Sequence, residues 1–277
     1  DNVDIDGRGL SSVIGTSGFI APEILMRRGK PGANSDLFSL AVLLFMLLTR
    51  HHPLRGQMEL AIRCLDEPAR RKLYGEDPVF IFNPTDQRNR PDPIEHMAAL
   101  VTWPLYLAAL QHLFQQTFGP GMSNPGQRVL TGQWIEALGS ALDQRQVCSA
   151  CGAEHFGAQP SCWNCNQPLQ TSAALRTPNG QVLVCAGNAV YLHHFDSMQA
   201  HRLDQPIGRV VSHPDDANLL GLQNLSDQPW QASTAGGQPY AVQPGKTCNL
   251  AALHKLHTTW GELHLEPASG EQPRPGS

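Results

Sequence analysis

GTSGFIAPE, residues 15–23, and SDLFSLAVLLFMLLT, residues 35–49, decide the fold of the first half of this chain. In the first stretch Gly15, Gly18 and Pro22 punctuate an irregular segment. Pro22 disfavours a helical Ile20 and Ala21 and suits the first turn of a helix that begins near it. Glu23 then occupies that first turn, where unpaired N–H groups favour a carboxylate. In the second stretch nearly every residue over 37–48 is apolar, and Ser39 is the only hydroxyl. Such a helix is expected to be buried all round. Ser35 or Asp36 is the expected N-cap. The apolar run is too short to span a bilayer, which takes about 20 residues.

Together these stretches resemble the activation segment and central helix of the C-lobe of a Ser/Thr protein kinase. The family pattern is G-T-x-x-[FY]-x-A-P-E, then D-x-[FWY]-S-L-G, and later an Arg. Gly15, Thr16, Phe19, Ala21, Pro22 and Glu23 match the first part. Asp36, Phe38, Ser39 and Leu40 match the second, with Ala41 where Gly is usual. NPGQRVLTGQWIEAL, residues 124–138, is similar to the late element and puts Arg128 in the place of its Arg.

The resemblance implies roles. Glu23 and Arg128 are expected to form a mostly buried bidentate pair that pins the activation segment. Asp36 is expected to accept backbone N–H groups of the catalytic loop, or else to act as a simple N-cap. Thr16 is expected near the catalytic Asp, on the side that sets Ser/Thr preference, with an ordinary loop hydroxyl as the plain reading. Ser11 and Ser12 lie where phosphosites of the family sit, or in plain solvated loop.

The phosphate-handling residues of a kinase are missing: the chain has no Gly-rich loop, no V-A-I-K-like segment and no H-R-D. Asp1 is either the magnesium-binding Asp or the second Asp of an I-D-x-D-[SN]-[FV] variant, with the metal Asp just upstream. The chain is therefore expected to be a piece of a longer protein that uses ATP and Mg²⁺, and to be inactive alone. An alternative is a pseudokinase scaffold whose later modules bind partners. Residues 68–93 form a long Pro-rich insert; residues 94–118 follow it, and within them TWPLYLAALQHLFQQTF, residues 102–118, reads as a helix pair. Arg27, Arg28, Lys30, Arg88 and Arg90 form either a basic substrate-facing rim or a solvated surface.

Cysteine spacing gives a second signal. Cys148-x2-Cys151, ten residues, then Cys162-x2-Cys165 makes two knuckles. Gly152 supplies a turn that lets backbone N–H groups approach thiolates. Four thiolates at this spacing suit structural zinc in a compact ribbon. Two disulfides or an iron centre are the alternatives. Trp163, between the ligands, either packs on a knuckle or faces a partner. Cys64, Cys185 and Cys248 are scattered and read as reduced residues.

Beyond the cysteines short alternating segments recur, with turns at residues 178–180, 214–216 and 236–237. Expected strands are residues 181–187, 189–195, 201–206, 208–213, 220–226, 230–234, 239–245 and 262–267. Their spacing suggests a small all-β sandwich. G-L-x-N-L-S at residues 221–226 and P-G-x-x-x-x-L at residues 244–250 resemble a forkhead-associated (FHA) domain. Arg209 takes a plausible phosphate-reading position there, although the usual S-x-x-H is absent. His193, His194, His254, His257 and His264 read as satisfied or exposed strand histidines, since their spacing fits no compact ligand set.

The fold class expected is thus multidomain: a mostly α kinase C-lobe over residues 1–144, a zinc ribbon over 145–169, a β-sandwich over 175–266 and a disordered tail over 267–277. A length of 277 residues, 41% of them hydrophobic, suffices for two or three such cores. A net charge of −4 gives no drive toward nucleic acid or membrane, and no signal peptide or membrane-spanning run is present. The order of modules resembles a group of bacterial Ser/Thr kinases. That implies a cytoplasmic enzyme with protein substrates, accompanied by a von Willebrand A-domain protein and a metal-dependent phosphatase.

Overall fold

A computed structural model describes residues 18–169, 173–199, 201–234 and 236–268. Asp1, Ser11, Ser12, Gly15 and Thr16, for which roles are expected above, lie outside the described residues. The chain divides into two compact units, Asp1–Trp134 and Ile135–Ser277.

The first unit is helical. It contains α1 (Pro22–Leu25), α2 (Ala33–Thr49), α3 (Gln57–Leu60), α4 (Glu67–Arg71), α5 (Met97–Thr102), α6 (Ala108–Thr117) and α7 (Pro120–Ser123). The last helix, α8 (Thr131–Asp143), straddles the division between the units. Pro22 opens α1 with its fixed φ, and Glu23 sits in the first turn. α2 begins before the expected cap. Gly32 is its N-cap, the Ser35 hydroxyl accepts from the Gly32 amide at 2.9 Å, and it donates to the Gly32 carbonyl at 2.7 Å. Asp36 is exposed in the first turn.

α2 is also not buried all round. Phe38, Ala41, Val42, Phe45 and Thr49 face the core, whereas Leu43 and Leu47 are 46% and 69% exposed. The inward residues follow the helical repeat, so they meet one aromatic layer. Among the described residues no second layer covers the other side. In that layer the Phe45 ring lies 5.4 Å from Phe80 and 5.3 Å from Phe114, both edge-on. Phe114 in turn lies 4.6 Å from Trp134.

The Pro-rich insert is ordered around one side chain. Asn89 is fully buried; its amide donates to the Leu54 and Val79 carbonyls and its carbonyl accepts from the Met58 amide. Gly56 permits this approach, because a Cβ there would lie 2.2 Å from the Asn89 main-chain oxygen and 2.8 Å from its side-chain Oδ1.

The second unit begins with the rest of α8 and a hairpin, β1 (Arg145–Val147) and β2 (Glu154–Phe156). Two antiparallel sheets follow. One has the order β10-β7-β6-β5, from β5 (Ala189–Val190), β6 (Gly208–His213), β7 (Asp216–Asn224) and β10 (Thr247–Asn249). The other runs β4-β3-β12-β11-β8-β9, from β3 (Ala173–Thr177), β4 (Gly180–Leu183), β8 (Trp230–Thr234), β9 (Tyr240–Val242), β11 (Leu253–Thr258) and β12 (Gly261–Pro267). Val210 and Leu222 of the first sheet and Leu175, Trp230, Leu256 and Leu263 of the second share one buried cluster. Burial of these apolar faces is the main force holding the sheets together.

Two expected strands fail or stop short, and three others appear. Residues 201–206 form turns, and the strand expected over 189–195 stops after Val190 and becomes a 3-10 turn at Leu192–His194. The His194 ring draws the chain away, accepting from the Tyr191 amide at 3.1 Å. β3, β10 and β11 were not among the expected strands. The sheet therefore begins at Ala173 and ends at Pro267, slightly beyond residues 175–266.

Candidate metal centre and carboxylate–guanidinium clamp

The four cysteines converge at the end of the β1–β2 hairpin. In the first knuckle the Gly152 amide donates to the Cys148 carbonyl and the Cys148 amide to the Ala153 carbonyl, both at 2.9 Å. In the second, the Asn166 amide donates to the Cys162 carbonyl at 2.9 Å and the Cys162 amide to the Gln167 carbonyl at 2.8 Å. Both turns require a left-handed residue. Gly152 has φ +76° and Asn166 has φ +59°. Asn is among the few side-chain-bearing residues that adopt this conformation readily.

The sulfurs fit a metal. The Cys148 and Cys165 Sγ atoms are 3.7 Å apart, the Cys151 and Cys162 Sγ atoms 3.6 Å, and all four lie within 4.8 Å of one another. A tetrahedral ion at about 2.3 Å from each sulfur spaces them at about 3.8 Å. A disulfide needs about 2.05 Å, so these four are free thiols. The Ala153 amide, then the Asn164 side chain, lower the Cys151 thiol to about 6. Trp163 is 44% exposed, and its indole N–H donates to the Glu154 carbonyl at 3.0 Å.

The clamp lies in the first unit. Arg128, whose side chain is fully buried, donates from Nη1 to Glu23 Oε1 at 2.8 Å and from Nη2 to Oε2 at 2.7 Å. It also donates from Nη1 to the Asn34 carbonyl at 2.8 Å and from Nε to the Gly121 carbonyl at 2.9 Å. The guanidinium sits over the Phe38 ring at 5.2 Å. Glu23 of α1, the start of α2, and α7 are thus held by one side chain. A Cβ on Gly121 would come within 3.0 Å of Arg128 Cγ.

Two residues that the sequence did not single out for a site tie down the segment before α1. The Ser39 hydroxyl donates to the Phe19 carbonyl at 2.8 Å. His52 bonds the Gly18 carbonyl through Nε2 at 2.8 Å, and its Nδ1 accepts from the Leu54 amide at 3.1 Å. That assigns the proton to Nε2, and burial lowers the ring's pKa to about 4. Ser39 had a sequence signal, as the lone hydroxyl of an apolar helix. His52 had none.

Of the basic rim, Arg88 is paired with both Asp77 and Asp86, and Arg90 donates to Gln57. Arg27, Arg28 and Lys30 are exposed. Arg209 is exposed on β6. In G-L-x-N-L-S, Asn224 is fully buried and donates to the Gln228 and Val242 carbonyls, so it organises a turn. His193 and His194 come together with Asp143 of α8. His194 Nδ1 accepts from the Tyr191 amide and Nε2 donates to Asp143 at 2.9 Å, so both of its nitrogens are engaged. His257 and His264 lie on Glu262.

Comparison with known proteins gives short matches. They are protein kinases. CBL-interacting protein kinase 19 of Oryza sativa subsp. japonica is 38% identical over 65 residues, 24% of this chain and 11% of the relative. CBL-interacting protein kinase 4 of the same plant is 38% identical over 84 residues, 30% of this chain and 17% of the relative. CBL-interacting protein kinase 12 is 43% identical over 53 residues, 19% of this chain and 10% of the relative. The chain thus spans less than a fifth of the curated relatives it matches. No family model matches it, and no solved structure does. A weak local relationship to Ser/Thr protein kinases is established, together with a four-cysteine cluster able to hold a metal such as zinc.

Proposed function

We propose that this chain is the substrate-side part of a Ser/Thr protein kinase C-lobe, followed by a structural zinc ribbon and a β domain for docking. The observation that carries the reading is the Glu23–Arg128 clamp. It joins an Ala-Pro-Glu element to an Arg 105 positions later through two hydrogen bonds and buries the cation completely. The short kinase matches support it. Within the protein that contains this segment, the reaction is transfer of the ATP γ-phosphoryl group to a protein Ser or Thr, with Mg²⁺ bound by residues outside those described here. Glu23, Arg128, Ser39 and His52 act by holding the segment around residues 18–23, not by moving protons to substrate.

Thr16 and Asp36 remain proposed supports of that site, and Asp1 a proposed magnesium ligand or its neighbour. The ribbon is read as a zinc site because four thiolates at tetrahedral spacing are the donor set zinc favours. The FHA likeness of the β domain, a bacterial cytoplasmic setting, and a von Willebrand A-domain protein and phosphatase as companions rest on sequence resemblance. Among the described residues no helix is long and apolar enough to cross a membrane.

The test is ATP-dependent phosphorylation of a generic Ser/Thr protein acceptor by the protein that carries this segment. Activity is expected with the natural residues and loss of it with Arg128→Ala. A folded protein that transfers no phosphate overturns the enzyme reading and leaves a scaffold whose ribbon and β domain bind partners.

A further inference from the structure

In the second unit a cavity of about 250 Å³ opens beside the β11–β12 hairpin, lined by Leu192, Phe195, Asp196, Gln199 and Trp260. A dry cavity of about 150 Å³ accommodates a benzene ring, so this one has room for a somewhat larger side chain. Both aromatic walls are set by backbone structure. Phe195 packs where a Cβ on Gly261 would lie 2.9 Å from its ring. Trp260 sits in the hairpin turn, where the Thr258 hydroxyl accepts from the Trp260 and Gly261 amides at 3.2 Å and donates to the Gly261 carbonyl at 2.8 Å.

Asp196 gives the cavity its charge. One carboxylate oxygen accepts from the Met198 amide at 2.9 Å, the other from the Gln199 side chain at 3.1 Å. Those two bonds hold the carboxyl below the usual range, so it is ionised at neutral pH. Each oxygen retains acceptor capacity. Among the described residues no Lys, Arg or His is an electrostatic partner of Asp196. The neighbouring Met198 is 89% exposed.

We propose that this pocket receives an arginine side chain of a partner protein. A guanidinium is planar, stacks on aromatic faces and offers paired donors to a carboxylate. Those are the three features that Phe195, Trp260 and Asp196 call for. Lys is a poorer fit, since its ammonium is a point donor and does not stack. Met198 and the stem of the incoming residue would then cover each other.

The experiment titrates the whole 277-residue chain with N-acetyl-arginine amide and, separately, with the uncharged isostere N-acetyl-citrulline amide. The readout is the Trp260 indole N–H resonance, identified by its absence in Trp260→Phe. Arginine is expected to shift it saturably with a Kd of about 1 mM, and citrulline about tenfold more weakly. Asp196→Asn, checked for an unchanged melting temperature, is expected to weaken arginine to the citrulline level. Equal binding of the two ligands, no effect of Asp196→Asn, or no saturable shift overturns the proposal.

Discussion

The clamp and the ribbon solve the same problem, holding chain segments distant in sequence, by opposite means. Arg128 is embedded in a helical unit with a large aromatic layer, and its charge is matched on every side by protein groups. The ribbon has little apolar material, and its two most buried sulfurs, Cys148 and Cys162, face two others that are more accessible. One site needs its surroundings to remain folded. The other offers four donors that could hold a metal ion from solution. Buried ion pairs rarely add stability over an apolar substitute, but they are severe to break. A metal site supplies folding energy outright.

The largest effect separating the two should come from removing metal. Elemental analysis is expected to find about one zinc per chain. Chelation or Cys162→Ser should unfold residues 145–169, at a cost on the order of 10–16 kcal/mol of metal-binding energy. Limited proteolysis reads this as new cleavage confined to the ribbon, and a metal-free protein with a protected ribbon would break the contrast.

Next, Arg128→Ala should destabilise the first unit by roughly 3–5 kcal/mol, because it leaves Glu23 without its partner. Arg128→Lys should recover little, since it keeps the charge but loses the bidentate fork and the stack on Phe38. Urea unfolding followed through Trp103 and Trp134 measures both. A cost below about 1 kcal/mol for Arg128→Ala would mean that the pair behaves like an exposed one.

Acid should act on both units, by a third route. His52 is neutral in the folded state, with its pKa lowered to about 4 by burial. His193 is lowered to about 4 by burial, then by the neighbouring His194 and His201. Between pH 6.5 and 4 the unfolded chain binds protons that the folded one excludes, so stability is full above 6.5 and falls as pH drops through that window. Protonating His52 also places a hydrogen on Nδ1, opposite the Leu54 amide. Unfolding midpoints at pH 7.5 and 5 should differ by an amount that His52→Gln reduces, and an unchanged difference would remove His52 from the account.

The smallest effect compares the two knuckles with each other. Asn166→Val should cost about 1–2 kcal/mol, the penalty of a left-handed residue with a branched side chain, and Asn166→Gly should cost nothing or stabilise. Zinc affinity by competition with a colorimetric chelator reads the difference. Equal affinity for Asn166→Val would show that the turn relaxes around the metal.

The sequence exposes side-chain motifs well and backbone partners poorly. Glu23, Arg128 and the four cysteines are legible because their chemistry depends on residue type at a fixed spacing. The Asn34 and Gly121 carbonyls that complete the Arg128 site are not, because any residue offers a carbonyl. Asn89 looks like one more polar residue in a Pro-rich stretch, and only folding reveals it as a hub. β11 escapes because a bulge between Leu253 and Lys255 shifts its alternation by one residue. The apolar run of α2 reads as a fully covered helix because composition reports an environment only when neighbours exist on every side. Asp143 is invisible as a partner of His194, since 51 positions separate them.

Those carbonyls have an evolutionary consequence. Of the four groups that hold the Arg128 guanidinium by hydrogen bonding or close stacking, Asn34 contributes only its main chain, and Gly121 its main chain together with the lack of a side chain. Position 34 can therefore drift to almost any amino acid without loosening the joint, whereas a side chain at position 121 has to push the Arg128 stem aside by a few tenths of an ångström. Related chains should vary more freely at the first anchor than at the second, although both perform the same mechanical task.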